Sequence, residues 1–141
     1  MKRQAALDQL DEKFRPGATR FLAAVDAAGI PVLCTSARRT IAEQNKLYAQ
    51  GRTTAGQKVT NAKGGESPHN FGCALDIVPL KDGQPDWNAP VATWQKLGAL
   101  GKACGLVWGG EFKKLRDYPH FESASWRLLR EAWQRGEIQV A

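Results

Sequence analysis

The most constraining feature of the sequence is an aspartate inside an apolar run, GCALDIVP, at residues 72–79. A short apolar run bounded by Gly and Pro predicts a buried strand. Because side chains alternate along a strand, Asp76 and Cys73 lie on opposite faces. A carboxylate among apolar side chains is costly to bury unless it is paired or bound to a metal ion. Asp76 is therefore a candidate metal ligand, and Cys73 is predicted to pack into the core as a free thiol.

The chain has only two histidines, and each lies close to an aspartate in sequence. His69 precedes Asp76 by seven positions, and His120 follows Asp117 by three in RDYPHFE. A catalytic zinc site takes three protein ligands and leaves one position for water. Two imidazoles and one carboxylate would come from His69, Asp76 and His120. Singly, each feature is common in proteins without a metal, so the prediction rests on their occurring together.

Two further charged side chains fit the same chemistry. Asp117 would lie over the open position of the metal, where a carboxylate can take a proton from water and pass it to a leaving amine. Arg39 comes directly before a Thr-x-x-Glu capping box that begins at Thr40. It is a candidate cation for a developing oxyanion.

Helices and short strands follow one another without a regular βα alternation, which predicts an α+β fold. Residues 51–68 lack a steady period and predict a long loop, of a length that is often functional. Apolar spacing predicts helices over about 4–14, 18–28, 41–50, 90–104 and 124–135, and strands over 31–36, 72–79, 106–110 and 119–123.

Composition narrows the function classes. The 141 residues predict one domain, and their net charge of +6 suits an anionic partner such as nucleic acid, a membrane surface or the bacterial cell wall. Nucleic acid is disfavoured because the aromatic residues fall at core spacing. No apolar stretch is long enough to cross a bilayer, and the amino terminus, MKRQAALDQLDEKF, does not resemble a secretory signal. Three dispersed cysteines do not form a disulfide framework.

Several motifs resemble those of the VanY/VanX-type zinc peptidases, the M15 family. SPHNFGCALD at 67–76 is similar to the family motif Ser-x-His-x-x-Gly-x-Ala-x-Asp, and DYPHFE at 117–122 resembles its second motif, in which an acidic residue precedes a histidine by three positions. TSARRTIAEQNKLYAQGRT and GLVWGGEFK are similar to two further family stretches. Together the matches cover about 31–122 in the family's order.

The resemblance implies one domain over 1–141, of the hedgehog/D,D-peptidase type, with a small antiparallel sheet flanked by helices and no separate cell-wall-binding domain. It implies one Zn²⁺ ion per chain, bound by His69, Asp76 and His120. Asp117 would be the general base and acid, and Arg39 would steady the substrate carbonyl. Mn²⁺ or Co²⁺ could occupy the same donor set.

Two further positions are carried over from the family as substrate-binding residues, Ser67 and Gln44. Ser67 can instead cap a turn, and Gln44 can instead support Arg39. Ala37 and Arg38 stand where the family usually has Gly-Tyr. The choice of Arg39 over Arg38 therefore depends on the register of the helix that follows.

Aspartate at position 117, where the dipeptidase branch has glutamate, favours the phage endolysin branch, which hydrolyses the L-Ala–D-Glu bond of the peptidoglycan stem peptide. We expect a monomeric lytic enzyme that binds neither nucleic acid nor membrane. It would wait in the host cytoplasm until a holin opens the membrane, and then act on periplasmic peptidoglycan. The alternatives are a D-Ala-D-Ala carboxypeptidase and a non-catalytic zinc-containing binding domain.

Overall fold

The strand that carries Asp76 lies inside an antiparallel sheet and pairs with a strand on each side. The computed structural model describes residues 1–141. The strands are paired in the order β1-β2-β5-β4, and β3 pairs with the far end of β2. Their bounds are β1 Val32–Ser36, β2 Ala74–Lys81, β3 Gln84–Pro85, β4 Val107–Trp108 and β5 His120–Glu122.

Five α-helices accompany the sheet, and their presence confirms the predicted α+β class in a single domain. Two 3₁₀ turns, Pro68–Phe71 and Gly109–Glu111, lead into β2 and out of β4. None of the helices combines the length and the apolar character that spanning a bilayer requires. The helices are α1 Arg3–Asp8, α2 Arg15–Ala27, α3 Ile41–Ala49, α4 Val91–Ala103 and α5 Trp126–Gln134.

The helix predicted over 4–14 was wrong beyond Asp8, where α1 ends. Pro16 and Gly17 do not separate two helices but lie in the first turn of α2, which begins at Arg15. Proline is tolerated there because the first N–H groups of a helix have no partner within the helix. The capping box at Thr40 is confirmed, since the Thr40 side chain accepts from Glu43 N–H and the Glu43 side chain accepts from Thr40 N–H, each at 3.0 Å.

The main core lies between the sheet and helices α1, α2 and α4. Leu75 and Ile77 of β2 are fully buried in it, and Phe21 of α2 packs on Phe121 of β5 with ring centroids 4.4 Å apart. A smaller, separate cluster contains Phe71, Cys73 and Trp126. The predicted burial of Cys73 is confirmed, and this burial raises the pKa of its thiol to about 12.

The register of the sheet aligns the functional residues of neighbouring strands. Asp76 lies directly opposite His120 in the pairing of β2 with β5, and opposite Ser36 in the pairing of β2 with β1. Directly paired residues project from the same face of an antiparallel sheet. Strand pairing therefore sets the Asp76 carboxylate beside the His120 imidazole.

Trp108 anchors β4 to α4 through a glycine. The Trp108 ring lies against Gly98 so closely that a Cβ atom at position 98 would overlap it. Replacing Gly98 with alanine should therefore destabilise the fold by about 1–3 kcal/mol, although alanine is the better helix former. Urea unfolding measures the change.

The matched control is Gly17→Ala, also within a helix. A Cβ atom there would meet Leu106 Cδ2 at 3.4 Å, an ordinary contact. This variant should be as stable as the parent or up to about 1 kcal/mol more stable. Equal stability of the Gly98→Ala variant and the parent would show that the contact between α4 and Trp108 is loose.

Candidate metal centre

Two imidazoles converge on one carboxylate oxygen. Asp76 Oδ1 lies 3.2 Å from His69 Nε2 and 3.0 Å from His120 Nδ1. The potential ligand atoms of the three residues lie within 4.8 Å of one another. Both histidines are buried, and only 17% of the Asp76 side chain is exposed. The three residues predicted from the sequence as metal ligands are thus brought together, in a cluster that could hold one metal ion.

The outer nitrogens of both imidazoles are anchored, which fits them to a metal. His69 Nδ1 lies 2.6 Å from the backbone carbonyl oxygen of Ala37, and His120 Nε2 lies 2.8 Å from Glu122 Oε1. Both acceptors favour a proton on the outer nitrogen, which leaves the lone pairs of His69 Nε2 and His120 Nδ1 available to a metal ion. Metal-binding histidines are held in this way by a carbonyl or carboxylate. Two imidazole nitrogens and one carboxylate are a donor set that zinc accepts.

The cluster is electrostatically coupled. Burial opposes a charge on Asp76, but the adjacent His69 and the hydrogen bonds from both histidines hold the pKa of the Asp76 carboxyl well below its ordinary value. Burial also opposes a charge on His120, but hydrogen bonds to Asp76 and Glu122 raise the His120 pKa to about 10. A proton and a metal ion compete for the same His120 nitrogen, so metal binding would release a proton.

Asp117 lines the same cavity as the cluster. Its backbone N–H donates to Gly109 O at 3.0 Å, and its carbonyl oxygen accepts from His120 N–H at 3.2 Å. A Cβ atom at Gly109 would overlap the Asp117 backbone, so the turn requires glycine at that position. Solvent reaches Asp117 at the cavity mouth, yet partial desolvation and the nearby charge of Asp76 raise the pKa of its carboxyl.

Aromatic side chains brace the segment that carries Asp117 and His120. The Tyr118 ring stacks against Trp94 and Trp108, with centroids 6.0 and 5.8 Å away. The indole Nε1–H of Trp108 donates to the Tyr118 carbonyl oxygen at 2.8 Å. The Trp-Gly-Gly stretch at 108–110 thus supports the turn that presents the carboxylate.

Of the two adjacent arginines, Arg39 reaches the cluster. Arg39 Nη2 lies 3.7 Å from Asp76 Oδ2, while Arg38 donates from Nε to Gln9 O at 2.9 Å, away from the cluster. Gln44 is fully buried, and its side chain accepts from Arg39 Nη1 at 3.0 Å and donates to Ala62 O at 2.9 Å. Gln44 therefore holds Arg39 in place and does not line the cavity, which favours the supporting role over the substrate-binding role carried over from the family.

Ser67 lines the cavity and also caps the 3₁₀ turn that carries His69. Its Oγ accepts from His69 N–H at 3.2 Å. The neighbouring Asn70 is fully buried and connects three segments. It accepts from Gly65 N–H at 2.9 Å and donates to the carbonyl oxygens of Arg39 and Thr40 at 3.1 and 3.3 Å.

Glu122, Asn70 and Gly109 are absent from the site predicted from the sequence. The signal for Glu122 was available, because residues 120 and 122 of one strand share a face. Asn70 and Gly109 act through backbone contacts that only the folded chain reveals. The cavity that the His-Asp-His cluster, Asp117 and Glu122 line has a volume of about 540 Å³.

Comparisons with known proteins match the part of the chain that carries this cluster. A family model described as D-alanyl-D-alanine carboxypeptidase matches residues 60–123. The peptidoglycan L-alanyl-D-glutamate endopeptidase CwlK of Bacillus subtilis (strain 168) is 41% identical over 108 residues, covering 71% of this chain. This chain spans 65% of the length of CwlK.

Two solved structures share the fold. The L-Ala D-Glu endopeptidase ChiX of Serratia marcescens superimposes with a TM-score of 0.62 at 22% identity, covering 90% of this chain and 89% of ChiX. A variant of the vancomycin resistance D,D-pentapeptidase VanY in complex with Zn(II) gives a TM-score of 0.60 at 14% identity, covering 90% of this chain and 79% of VanY.

The chain therefore has the α+β fold that ChiX and VanY share, and it carries a His-Asp-His cluster that could hold a metal ion. The chain is similar to the D-alanyl-D-alanine carboxypeptidase family model over residues 60–123 and to CwlK over 108 residues.

The contact between Glu122 and His120 predicts a role in metal binding. Glu122→Leu removes the acceptor for His120 Nε2–H and should weaken zinc binding by about 10- to 100-fold. Glu122→Gln keeps an oxygen acceptor and should retain most of the affinity. Competition with a chromophoric chelator measures the dissociation constant of each variant. Equal zinc affinity of the leucine variant and the parent would exclude the anchoring role.

Proposed function

We propose that the chain is a zinc-dependent peptidase that hydrolyses the L-Ala–D-Glu bond of the peptidoglycan stem peptide. The observation that supports this most strongly is the meeting of the His-Asp-His cluster, Asp117 and Arg39 in one cavity. The 41% identity with CwlK, an endopeptidase for this bond, supports the choice of substrate.

In the proposed site, His69, Asp76 and His120 hold the metal ion. A bound zinc ion supplies Lewis acidity, which lowers the pKa of water and polarises a carbonyl group. Asp117 takes the proton of the attacking water. The same carboxyl then gives the proton to the departing amine. The pKa of the Asp117 carboxyl is raised toward neutral pH, which suits a group that must both accept and donate a proton near that pH.

Arg39 supplies the positive charge of the proposed site. Its guanidinium group is held by Gln44 at 3.0 Å and lies 3.7 Å from Asp76, so little reorganisation is needed when charge develops on the scissile carbonyl oxygen. Ser67 would contact the substrate from the cavity wall while its hydroxyl keeps the His69 turn capped.

Asp117→Ala tests the acid–base role. This variant should bind zinc and fold as the parent does but lose about 10²–10⁴-fold in turnover, because one acid–base group contributes about that factor. His120→Ala should instead lose the metal. Zinc content by mass spectrometry and hydrolysis rates on a stem peptide separate the two effects.

A matched control is Asp8→Ala, at an exposed position on α1, which should leave both quantities unchanged. Near-normal turnover of the Asp117→Ala protein would contradict the assigned role.

A second candidate activity is removal of terminal D-Ala from D-Ala-D-Ala, since the family model over 60–123 carries the description D-alanyl-D-alanine carboxypeptidase. Product analysis on purified muropeptides distinguishes the two activities. A new amino-terminal D-Glu supports the endopeptidase, and release of free D-Ala supports the carboxypeptidase.

We also propose a lytic role for the enzyme as a monomeric phage endolysin. It would be held in the host cytoplasm and reach peptidoglycan once a holin opens the membrane. The net charge of +6 suits an anionic cell wall. The chain expressed in a Gram-negative host should leave cells intact until a holin is co-expressed, and turbidity should then fall. Unchanged turbidity after membrane opening would exclude this role.

A further inference from the structure

Two large apolar side chains lie exposed at the candidate site. Val59, in the long loop after α3, is 57% exposed, and Leu115, in the loop before Asp117, is 70% exposed. Both line the cavity that contains His69 and Asp117. Both also line a neighbouring cavity of about 430 Å³ that shares Asp117. Two loops that are far apart in sequence thus each place an apolar side chain at the mouth of the site.

Leu115 also has an unusual backbone. Its φ of +53° lies in the left-handed region, which branched residues rarely occupy. The only other non-glycine residue with positive φ is Asp82, at +52°, in the turn between β2 and β3. Aspartate tolerates this conformation in turns, whereas leucine has no side-chain hydrogen bond to offset it. Strained residues of this kind persist most often at binding and active sites.

Cationic side chains line the same two cavities as Val59 and Leu115. Lys114 lines the cavity next to Leu115, and Lys58 and Arg116 line the neighbouring cavity beside Val59. This combination matches a peptide in which a small apolar residue is followed by residues that carry carboxylates.

We propose that Val59 and Leu115 contact the alanine methyl group beside the scissile bond and make the enzyme selective for alanine at that position. This inference rests on the proposed function. Alanine is the apolar partner in an L-Ala–D-Glu bond, and the acidic partner suits the neighbouring cations. Leucine is kept in the left-handed conformation because its side chain then stands at the cavity mouth.

The first test separates contact with substrate from support of the fold. Leu115→Gly relieves the backbone strain, so the urea midpoint should stay equal or rise while KM for an L-Ala–D-Glu peptide rises by about tenfold. Asp82→Gly is the matched control, since it removes the other positive-φ residue away from the cavity; it should leave KM unchanged. A lower urea midpoint for Leu115→Gly would overturn the proposal, because Leu115 would then serve stability.

The second test measures the selectivity of the enzyme for alanine over glycine beside the scissile bond. Leu115→Ala and Val59→Ala should lower the ratio of kcat/KM between an L-Ala-containing peptide and its glycine analogue toward one. A role confined to loop stability would reduce both rates equally and leave the ratio unchanged. An unchanged ratio in both variants overturns the proposal.

Failure of the proposed function has a different signature. The parent chain would then release no amino-terminal D-Glu from either peptide. In that case calorimetry compares binding of the uncleaved alanine and glycine peptides to the parent and to Leu115→Ala. Weaker binding of the alanine peptide to the variant supports the contact, and equal affinities overturn it.

Discussion

The contact of Asp76 with two imidazoles is the interaction on which the rest of the site depends. The Asp76 side chain is only 17% exposed in an apolar strand, so the free-energy cost of burying its charge must be offset by a nearby positive charge or by hydrogen bonds. His69 and His120 can provide both, at 3.2 and 3.0 Å. Each histidine is in turn anchored at its outer nitrogen, by the Ala37 carbonyl and by Glu122. The three side chains therefore have little freedom to separate, and a metal ion would meet a preorganised set of donors.

The surrounding fold serves to hold these anchors in place. Strand β5 pairs with β2 so that His120 lies opposite Asp76, while the Ser67-capped turn and Asn70 fix His69 relative to the segment that carries Arg39. Asp117 is the exception, because it lies on an exposed turn held by backbone bonds to Gly109 and His120. Rigid ligands beside a more accessible carboxylate would suit the proposed hydrolysis, because the ligands would hold the metal in place while protons and substrate exchange with solvent.

The sequence predicted what depends on local pattern. The apolar run predicted a strand that carries Asp76 and a buried free thiol at Cys73, and the capping box located the start of α3 beside Arg39. Helix boundaries near Pro16 were missed, because proline is compatible with a first helical turn as well as with a break. Asn70 could not be predicted because its partners lie in other loops, whereas Glu122 shares a strand face with His120 and its role was accessible from the sequence. Residue chemistry and family resemblance together predict His69, Asp76 and His120 as metal ligands, whereas sequence spacing alone leaves each of them ambiguous.

X-ray absorption at the zinc edge of the reconstituted protein tests the proposed metal centre most directly. The site predicts a nitrogen and oxygen shell at about 2.0–2.2 Å, with outer scattering from two imidazoles and no sulfur. A sulfur shell at about 2.3 Å would assign the metal to a cysteine. Such a shell, or scattering from fewer than two imidazoles, would contradict the centre formed by His69, Asp76 and His120.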